Sequence, residues 1–271
     1  MIEPEQNDKQ PELSRDSLFD GRLVCLQHRK GYRFSVDAVL VAHFQPPAKG
    51  AVVLDLGAGC GIISLIMLFR WGQRIRRITA LEAQPGLAQL ARQNVEVNGY
   101  GQQCHVLQAN LREIATSLSP ETFSQVVCNP PFYRQGAGRP SGSQEALLAR
   151  HQVLAGLGDF VRAAAYALKN GGILAMIYPA AGLTEMAACL AAHGLEMKRL
   201  RFVYSYPDAA GYARLVLVQA VKKAGPGVRV MPPLYIYAEK GGSYTPEIQL
   251  LYQELPAPES TVSQVVSGDK R

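Results

Sequence analysis

The sequence has little that would anchor, cross-link or partition the chain. Its five cysteines (Cys25, Cys60, Cys104, Cys128 and Cys189) are scattered and form no C-x-x-C pair, so neither a zinc site nor a disulfide framework is implied. Several lie in apolar runs, where Cys behaves as a small hydrophobe. No basic segment followed by an apolar stretch opens the chain, so no signal peptide is expected. The longest apolar run, around Ile62–Phe69, is too short to span a bilayer. These absences point to a reducing, cytoplasmic setting with no membrane and no metal partner. No Gly/Ser- or Pro-rich linker divides the middle of the 271 residues and no internal repeat recurs, so one large domain is expected. Acids are the scarcer charge, 22 against 28 Lys and Arg, for a net +6 and a pI of about 9.1. That bias weakly favours a polyanionic partner.

The ends differ from the middle. Residues 1–16 hold five acids against Lys9 and Arg15, and residues 256–271 are polar with no apolar periodicity. Both read as disordered tails around a single domain over 17–255, of which 17–50 form an N-terminal arm. The first tail nets −3 and the last zero, which leaves the domain at +9. The arm holds a β-like stretch (Arg22–Gln27) and a helix (Val36–Phe44).

Beyond the arm, short β-branched runs alternate with helical patterns. Strands are expected over Val52–Leu56, Ile78–Glu82, His105–Ala109, Gln125–Asn129 and Ile173–Tyr178. Helices are expected from Gly61 to Trp71, over Pro85–Asn98, near Leu111, over His151–Lys169 with a stop at Asn170-Gly171-Gly172, and over Gly182–Ala192. Arg199–Ser205 and Arg214–Val221 follow as two strands joined only by a loop, hence an antiparallel hairpin. Such alternation argues for an α/β fold with helices on both faces of a parallel sheet. It resembles the Rossmann-like fold of class I methyltransferases, a seven-stranded, mostly parallel sheet with a C-terminal antiparallel hairpin.

Val53-Leu54-Asp55-Leu56-Gly57-Ala58-Gly59-Cys60-Gly61 follows one expected strand and opens a helix. Glycines there let the backbone turn sharply and approach a ligand, and the helix start supplies free N–H groups. The D-x-G-x-G-x-G spacing resembles the first motif of S-adenosylmethionine methyltransferases, with Asp55, Gly57 and Gly59 at the cofactor. Glu82, at the end of the next strand, is placed to accept hydrogen bonds from ribose hydroxyls. At the third strand end the methyltransferase pattern usually carries an acid that contacts the adenine. Here Asn110 stands there, followed by Leu111. An amide can both donate to and accept from the ring, or it can simply cap a helix.

Asn129-Pro130-Pro131-Phe132, followed by Tyr133, comes straight after the fourth strand. Two prolines end the ladder and stiffen the turn. In open α/β sheets the crevice at the carboxyl ends of the strands is where ligands bind. An exocyclic amine is a poor nucleophile because its lone pair is delocalised into the ring. The side-chain oxygen of Asn129, also beside the cofactor, and the carbonyl of Pro130 can accept its two N–H bonds and turn the lone pair toward a methyl donor. Phe132 offers a face for the base to stack on. The Gly/Pro/Ser-rich loop that follows, with Arg134 and Arg139, is expected at the mouth of the target-base pocket beside Pro131 and Tyr133.

With both motifs in view, the chain resembles the amino-methyltransferases that carry N-P-P-F or N-P-P-Y. Within them it is similar to the bacterial tRNA (adenine-N6)-methyltransferase family that acts on the adenosine next to the anticodon of a valine tRNA. Gly31 to Leu40 (GYRFSVDAVL), Ala149-Arg150-His151 ahead of the helix with Asp159-Phe160, and Tyr244-Thr245-Pro246-Glu247 carry the likeness, which covers about residues 17–252. The resemblance implies S-adenosylmethionine as cofactor, tRNA as partner and adenine N6 as target. It also implies Arg33, Phe34 and Asp37 as cofactor neighbours and Arg150 on the substrate side. Nothing in the sequence calls for a second subunit, and a monomer is expected.

Residues 197–240 hold eight bases (Lys198, Arg199, Arg201, Arg214, Lys222, Lys223, Arg229 and Lys240), interleaved with Tyr204, Tyr206, Tyr235 and Tyr237. They are candidates for phosphate contact and base stacking. Arg70, Arg74, Arg76 and Arg77 read as a solvated face away from the active edge. Three other functions share parts of the pattern: a guanine-N2 methyltransferase of ribosomal RNA, a protein glutamine N5-methyltransferase, and a non-catalytic RNA-binding protein of the same fold. Tyr133 in place of His disfavours the first. The short arm and Phe132 in place of Tyr disfavour the second, and the intact Asn129–Phe132 turn the third.

Overall fold

A computed structural model describes residues 12–29, 34–131, 155–207 and 211–253. The chain opens with strands β1 (Leu13–Leu18) and β2 (Leu23–His28), an antiparallel hairpin, followed by α1 (Val36–Phe44). The alternating core then runs β3 (Ala51–Leu56), α2 (Ile62–Trp71), β4 (Ile75–Glu82), α3 (Pro85–Val97), β5 (Cys104–Gln108), α4 (Ile114–Ser117) and β6 (Phe123–Cys128). After it come α5 (Leu157–Ala167), β7 (Leu168–Pro179), α6 (Leu183–Ala192), β8 (Leu195–Tyr204) and β9 (Leu215–Lys222). Two short strands, β10 (Arg229–Val230) and β11 (Leu234–Tyr235), and helix α7 (Pro246–Tyr252) close the described chain.

The main sheet has the order β8-β9-β7-β6-β3-β4-β5, parallel from β7 to β5, with β9 antiparallel to both β7 and β8. These are the seven expected strands and the C-terminal antiparallel pair; β10 and β11 add two more short strands along β8. The strands are buried on both faces. Val53 and Val127 point into one core layer with α1, α2 and α3, while Leu54, Leu56, Val126 and Cys128 point into the other with α5 and α6. The order reverses between β3 and β6, whose last residues Leu56 and Cys128 are register partners. This is the topological switch point, where an open α/β sheet leaves a crevice.

Residues 13–16, expected in a disordered tail, form most of β1. Their side chains are exposed or half-buried, so they carry no apolar periodicity, and they are ordered in an antiparallel pairing with β2. The helix expected over His151–Lys169 ends at Ala167, and Asn170-Gly171-Gly172 lies inside β7, where the register with β6 shifts; residues 151–154 lie outside the described residues.

The hairpin is attached by an unusual device. Val24 donates its N–H to Asn98 Oδ1 and accepts from Asn98 Nδ2 (2.9 and 2.7 Å); Leu26 does the same with Asn94 (2.7 and 3.0 Å). Residues i and i+4 of a helix rise ~6 Å apart, and i and i+2 of a strand ~6.7 Å. Two asparagines on one face of α3 therefore stand in for a partner strand. Asn94 Nδ2 also donates to the carbonyl of Cys60 (2.9 Å), which ties the hairpin to the turn after β3.

Candidate active site

Four neighbouring strand ends build the site. Asn129 follows β6, Gly57 follows β3, Glu82 ends β4 and Asn110 lies just past β5. At ~4.8 Å per strand the row spans ~14 Å. Gly57, Gly59, Glu82, Asn110, Leu111, Asn129 and Pro131 all line one cleft of about 310 Å³, within the range of small-molecule sites. The relation on which the sequence reading depends, Asn129 and the glycine turn facing a shared hollow, is present.

The glycine turn is fixed from several sides. Gly57 and Gly59 have φ of +69° and +58°, conformations that β-carbon-bearing residues adopt only under strain. The N–H groups of Gly57 and Ala58 both donate to Leu81 O (2.9 and 3.0 Å). Glu82 is buried, and its Oε2 accepts from Gly59 N (2.9 Å) while its Oε1 accepts from Gln84 N (2.8 Å). The carboxylate is thereby held at the floor of the cleft, and each oxygen keeps a second lone pair for a ligand.

Asp55 does not line the cleft. It is fully buried beneath the turn, and its Oδ2 accepts from Ser64 N (3.1 Å) and Oγ (2.7 Å), which anchors the first turn of α2. Burial pushes its carboxyl up to about 7, against the two Ser64 hydrogen bonds and with a contribution from the Glu82 charge. Its position is one of support for Gly57 and Gly59.

Asn110 combines the two roles that the sequence left open. It lines the cleft, and its Oδ1 caps the 3₁₀ turn Leu111–Glu113 by accepting from Arg112 N (3.0 Å). Arg33, Phe132, Tyr133, Arg134, Arg139 and Arg150 lie outside the described residues. Asn129 is half-buried and Pro130 buried; Asn129 Oδ1 is fully buried with no hydrogen-bond partner among the described residues. A buried acceptor without a donor is costly unless a ligand supplies one.

Phe160 is a cleft residue that motif reading places only beside a family segment. It reaches the site from α5, whose start is set by Asp159: the carboxylate accepts from Gly156 N (3.1 Å), Arg112 Nε (2.9 Å) and Arg162 (2.8 Å). Burial opposes ionisation of Asp159, but these donors outweigh it and hold the carboxyl below its usual range. Leu81, Ala83, Gln84, Leu87 and Ala155 complete the lining. The signal for Ala83 and Gln84 was their place directly after Glu82; Leu87 and Ala155 carry none in the sequence.

The basic stretch 197–240 needs correction. Arg201 makes a two-point pair with Glu247 (2.6 and 2.8 Å), and Arg199 donates to Phe44 O (3.0 Å) and Gln45 Oε1 (2.9 Å) and lies over the Phe44 ring. Lys222 bonds Glu121 and Leu168 O, and Lys198 bonds the carbonyls of Gly225 and Pro226. Arg199, Arg201 and Lys222 fasten the β8–β9 pair to other elements, and Lys198 ties β8 to the segment after β9. Likewise Arg70 is no solvated residue: it donates to His43 Nε2 (3.0 Å) and Leu251 O (2.8 Å) and covers the Phe19 ring, while Arg74, Arg76 and Arg77 are exposed as expected.

A sheet of this order, with a glycine turn and an Asn-Pro-Pro turn at its switch point, defines a class I methyltransferase. Residues 35–184 match the family model described as the methyltransferase small domain, and the chain belongs to that family. It is similar to proteins named tRNA1(Val) (adenine(37)-N6)-methyltransferase. One from Shewanella sp. (strain MR-4) is 27% identical over 190 residues, 69% of this chain and 78% of that protein. One from Shewanella loihica is 26% identical over 227 residues (82% and 91%), and one from Phocaeicola vulgatus 26% identical over 181 (67% and 74%). Among solved structures, a protein of Agrobacterium tumefaciens described as a predicted O-methyltransferase superposes with a TM-score of 0.63 at 21% identity, covering 80% of this chain and 95% of that one. A protein of Pyrococcus horikoshii described as a transferase gives 0.54 at 15% identity, covering 78% and 72%. These two likenesses are of fold.

The chain is thus a methyltransferase, and S-adenosylmethionine is its cofactor. The cleft suits it: apolar walls from Leu81, Leu87, Leu111 and Phe160, a fixed carboxylate in Glu82, and a buried oxygen on Asn129 that has no donor among the described residues. No helix among the described residues is long and apolar enough to cross a membrane. No group of three or more His, Cys, Asp or Glu among them could hold a metal ion.

Proposed function

We propose that the chain methylates adenine N6 of a tRNA, at or near the anticodon, and acts as a cytoplasmic monomer. The reading is carried by the buried Asn129 oxygen beside the cleft, which has no donor among the described residues. An exocyclic amino group brings two N–H donors, and Asn129 Oδ1 with the Pro130 carbonyl can take one each. Both acceptors sit on a turn stiffened by consecutive prolines, so they need no reorganisation as positive charge develops on nitrogen. The bound cofactor supplies an electrophilic methyl group.

Glu82, Asn110, Leu111 and the glycine turn would hold the nucleoside end of the cofactor, with Asp55 supporting the turn from below and Arg33 joining from the arm. Phe132 would stack on the target base, with Pro131, Tyr133, Arg134, Arg139 and Arg150 around the mouth. The adenine assignment is supported by the names of the relatives, which specify that base in a valine tRNA. A nucleotide in a loop also costs less to extrude than one in a duplex. The test is incubation of the protein with radiolabelled S-adenosylmethionine and total tRNA, followed by digestion to nucleosides. Label is expected in N6-methyladenosine; label only in N2-methylguanosine, or only in protein, overturns the reading.

A further inference from the structure

The eight bases of residues 197–240 include Arg214, which is exposed and lies on the same edge of the sheet as Asn129. Ala180, just past β7, donates to Arg214 O (3.0 Å), and Arg214 donates to Val203 O (2.9 Å), near the end of β8. Beyond it, β11 runs parallel to β8, and Tyr237 donates to Ser205 O (2.8 Å) at the same edge. From Asn129 the order along the carboxyl edge is therefore β7, Arg214, β8, Tyr237. Measured across the sheet at ~4.8 Å per strand, Arg214 is two strands (~10 Å) and Tyr237 four strands (~19 Å) from Asn129, and the register sets both further out along the strand direction.

Tyr237 is the outer member of a pile of rings. Its centroid lies 5.4 Å from that of Tyr244 at 24°, and Tyr244 lies 5.5 Å from Tyr252 at 10°. The pile is rigid. Tyr237 and Tyr244 form a bridge across the turn 238–243, which is closed by Ala238 N to Ser243 O (2.9 Å) and Thr245 N to Ile236 O (3.0 Å). Tyr237 keeps 37% of its surface exposed, while Tyr244 and Tyr252 are half-buried behind it. Arg214 and Tyr252 both lie within electrostatic range of Asp37, so cation and ring pile share one corner. Lys240 and Glu239 on the turn are exposed and offset each other.

We propose that this tyrosine pile is a stacking platform for an unpaired base of the same RNA loop that delivers the target adenine. Arg214 holds the phosphate backbone between the two. The inference rests on the RNA reading above and extends it to a second contact a few nucleotides away. Every base has a π-face, so such a platform fixes the loop without reading its sequence. Preformed rings also spare the ordering cost that a mobile side chain would carry.

The test is steady-state methyl transfer to a tRNA transcript by the wild type, Tyr237→Ala, Tyr237→Trp and Arg214→Gln, with S-adenosylmethionine affinity measured separately. A set of transcripts carrying 2-aminopurine at single loop positions reports stacking directly. Tyr237→Ala is expected to raise KM for tRNA about tenfold, with kcat and cofactor affinity within about twofold, and Tyr237→Trp to restore KM. Arg214→Gln should weaken binding and reduce its salt dependence. One loop position should be quenched by the wild type and not by Tyr237→Ala. If the wild type methylates tRNA but Tyr237→Ala has unchanged KM, or no loop position is quenched, the platform is refuted and the substrate reading stands. If the wild type transfers no methyl group to tRNA, both fall.

Discussion

Phe160 occupies the place that a side chain on Gly57 would need: a Cβ built there meets the ring Cζ at 2.9 Å. A residue of α5, from one core layer, thus seals a turn that begins the opposite layer, and the cleft wall depends on both. Gly57→Ala combines this clash with a left-handed φ of +69° and should cost about 2–4 kcal/mol. Cofactor affinity measured by calorimetry is expected to drop at least tenfold. Adding Phe160→Leu should recover part of the loss, since it relieves the clash but not the backbone strain. Full recovery would show that sterics alone fix this glycine.

Asn129→Ala removes one acceptor for the amino group and leaves the cleft walls in place. The single-turnover rate of methyl transfer should fall about 10²–10³-fold. Cofactor binding should stay within a few-fold of wild type. Near-normal turnover would contradict the role given to this amide.

Asp159 does not line the cleft but ties the start of α5, which carries Phe160, to Arg112, which follows Asn110 and Leu111. Asp159→Asn should therefore raise KM for the cofactor about three- to tenfold with little change in kcat. Because the carboxyl is held below its usual range, it is ionised at every pH where the enzyme is assayed, and the KM difference should be flat from about pH 6 to 8. A kcat effect of equal size would indicate direct participation in the reaction.

A partly buried histidine and a fully buried aspartate tilt stability in opposite directions with pH. Burial lowers His43 to about 4, against its bond to Val39 O and helped by the Arg70 charge, and its Nε2 must be unprotonated to accept from Arg70. Its folded value lies below the unfolded 6.5, so it contributes stability above about pH 6.5 that is lost as pH falls toward 4. Asp55 is raised to about 7 from 3.8. Its contribution is present below about pH 4 and lost as pH rises toward 7. Each slope amounts to about 2–4 kcal/mol at most. Urea unfolding of wild type should change little from pH 4.5 to 7. His43→Gln should expose a decline with rising pH, and Asp55→Asn a decline with falling pH; identical profiles for all three would refute both assignments.

How much of this was legible in the sequence depended on whether a feature is local. The alternation from β3 to β9 was readable because buried parallel strands and amphipathic helices leave distinct periods. Gly57, Gly59 and Asn129 were readable because turn chemistry is written in adjacent residues. Strand β1 was not, since before Leu18 its side chains are exposed or half-buried and leave no apolar period, so its pairing with β2 had no local signal. Helix α7 had its signals, Thr245 as N-cap and Pro246 in its first turn, but seven residues carry too little periodicity to stand out. Arg70, Arg199 and Arg201 looked solvent-facing because their partners, among them His43, Phe44 and Glu247, are distant along the chain. Phe160 faces the cleft only because α5 crosses it.

The carboxamides of Asn94 and Asn98 fill the edge of β2 that faces α3 at Val24 and Leu26, whose main-chain groups are both occupied there. A short ribbon with an open flank is a template for strand exchange between molecules. Replacing both asparagines with leucine would strip that flank bare while keeping it greasy, and at high concentration the nearest complementary surface is the ribbon of another copy. Self-association of such a protein, rather than simple loss of fold, is the expected consequence of removing this amide ladder.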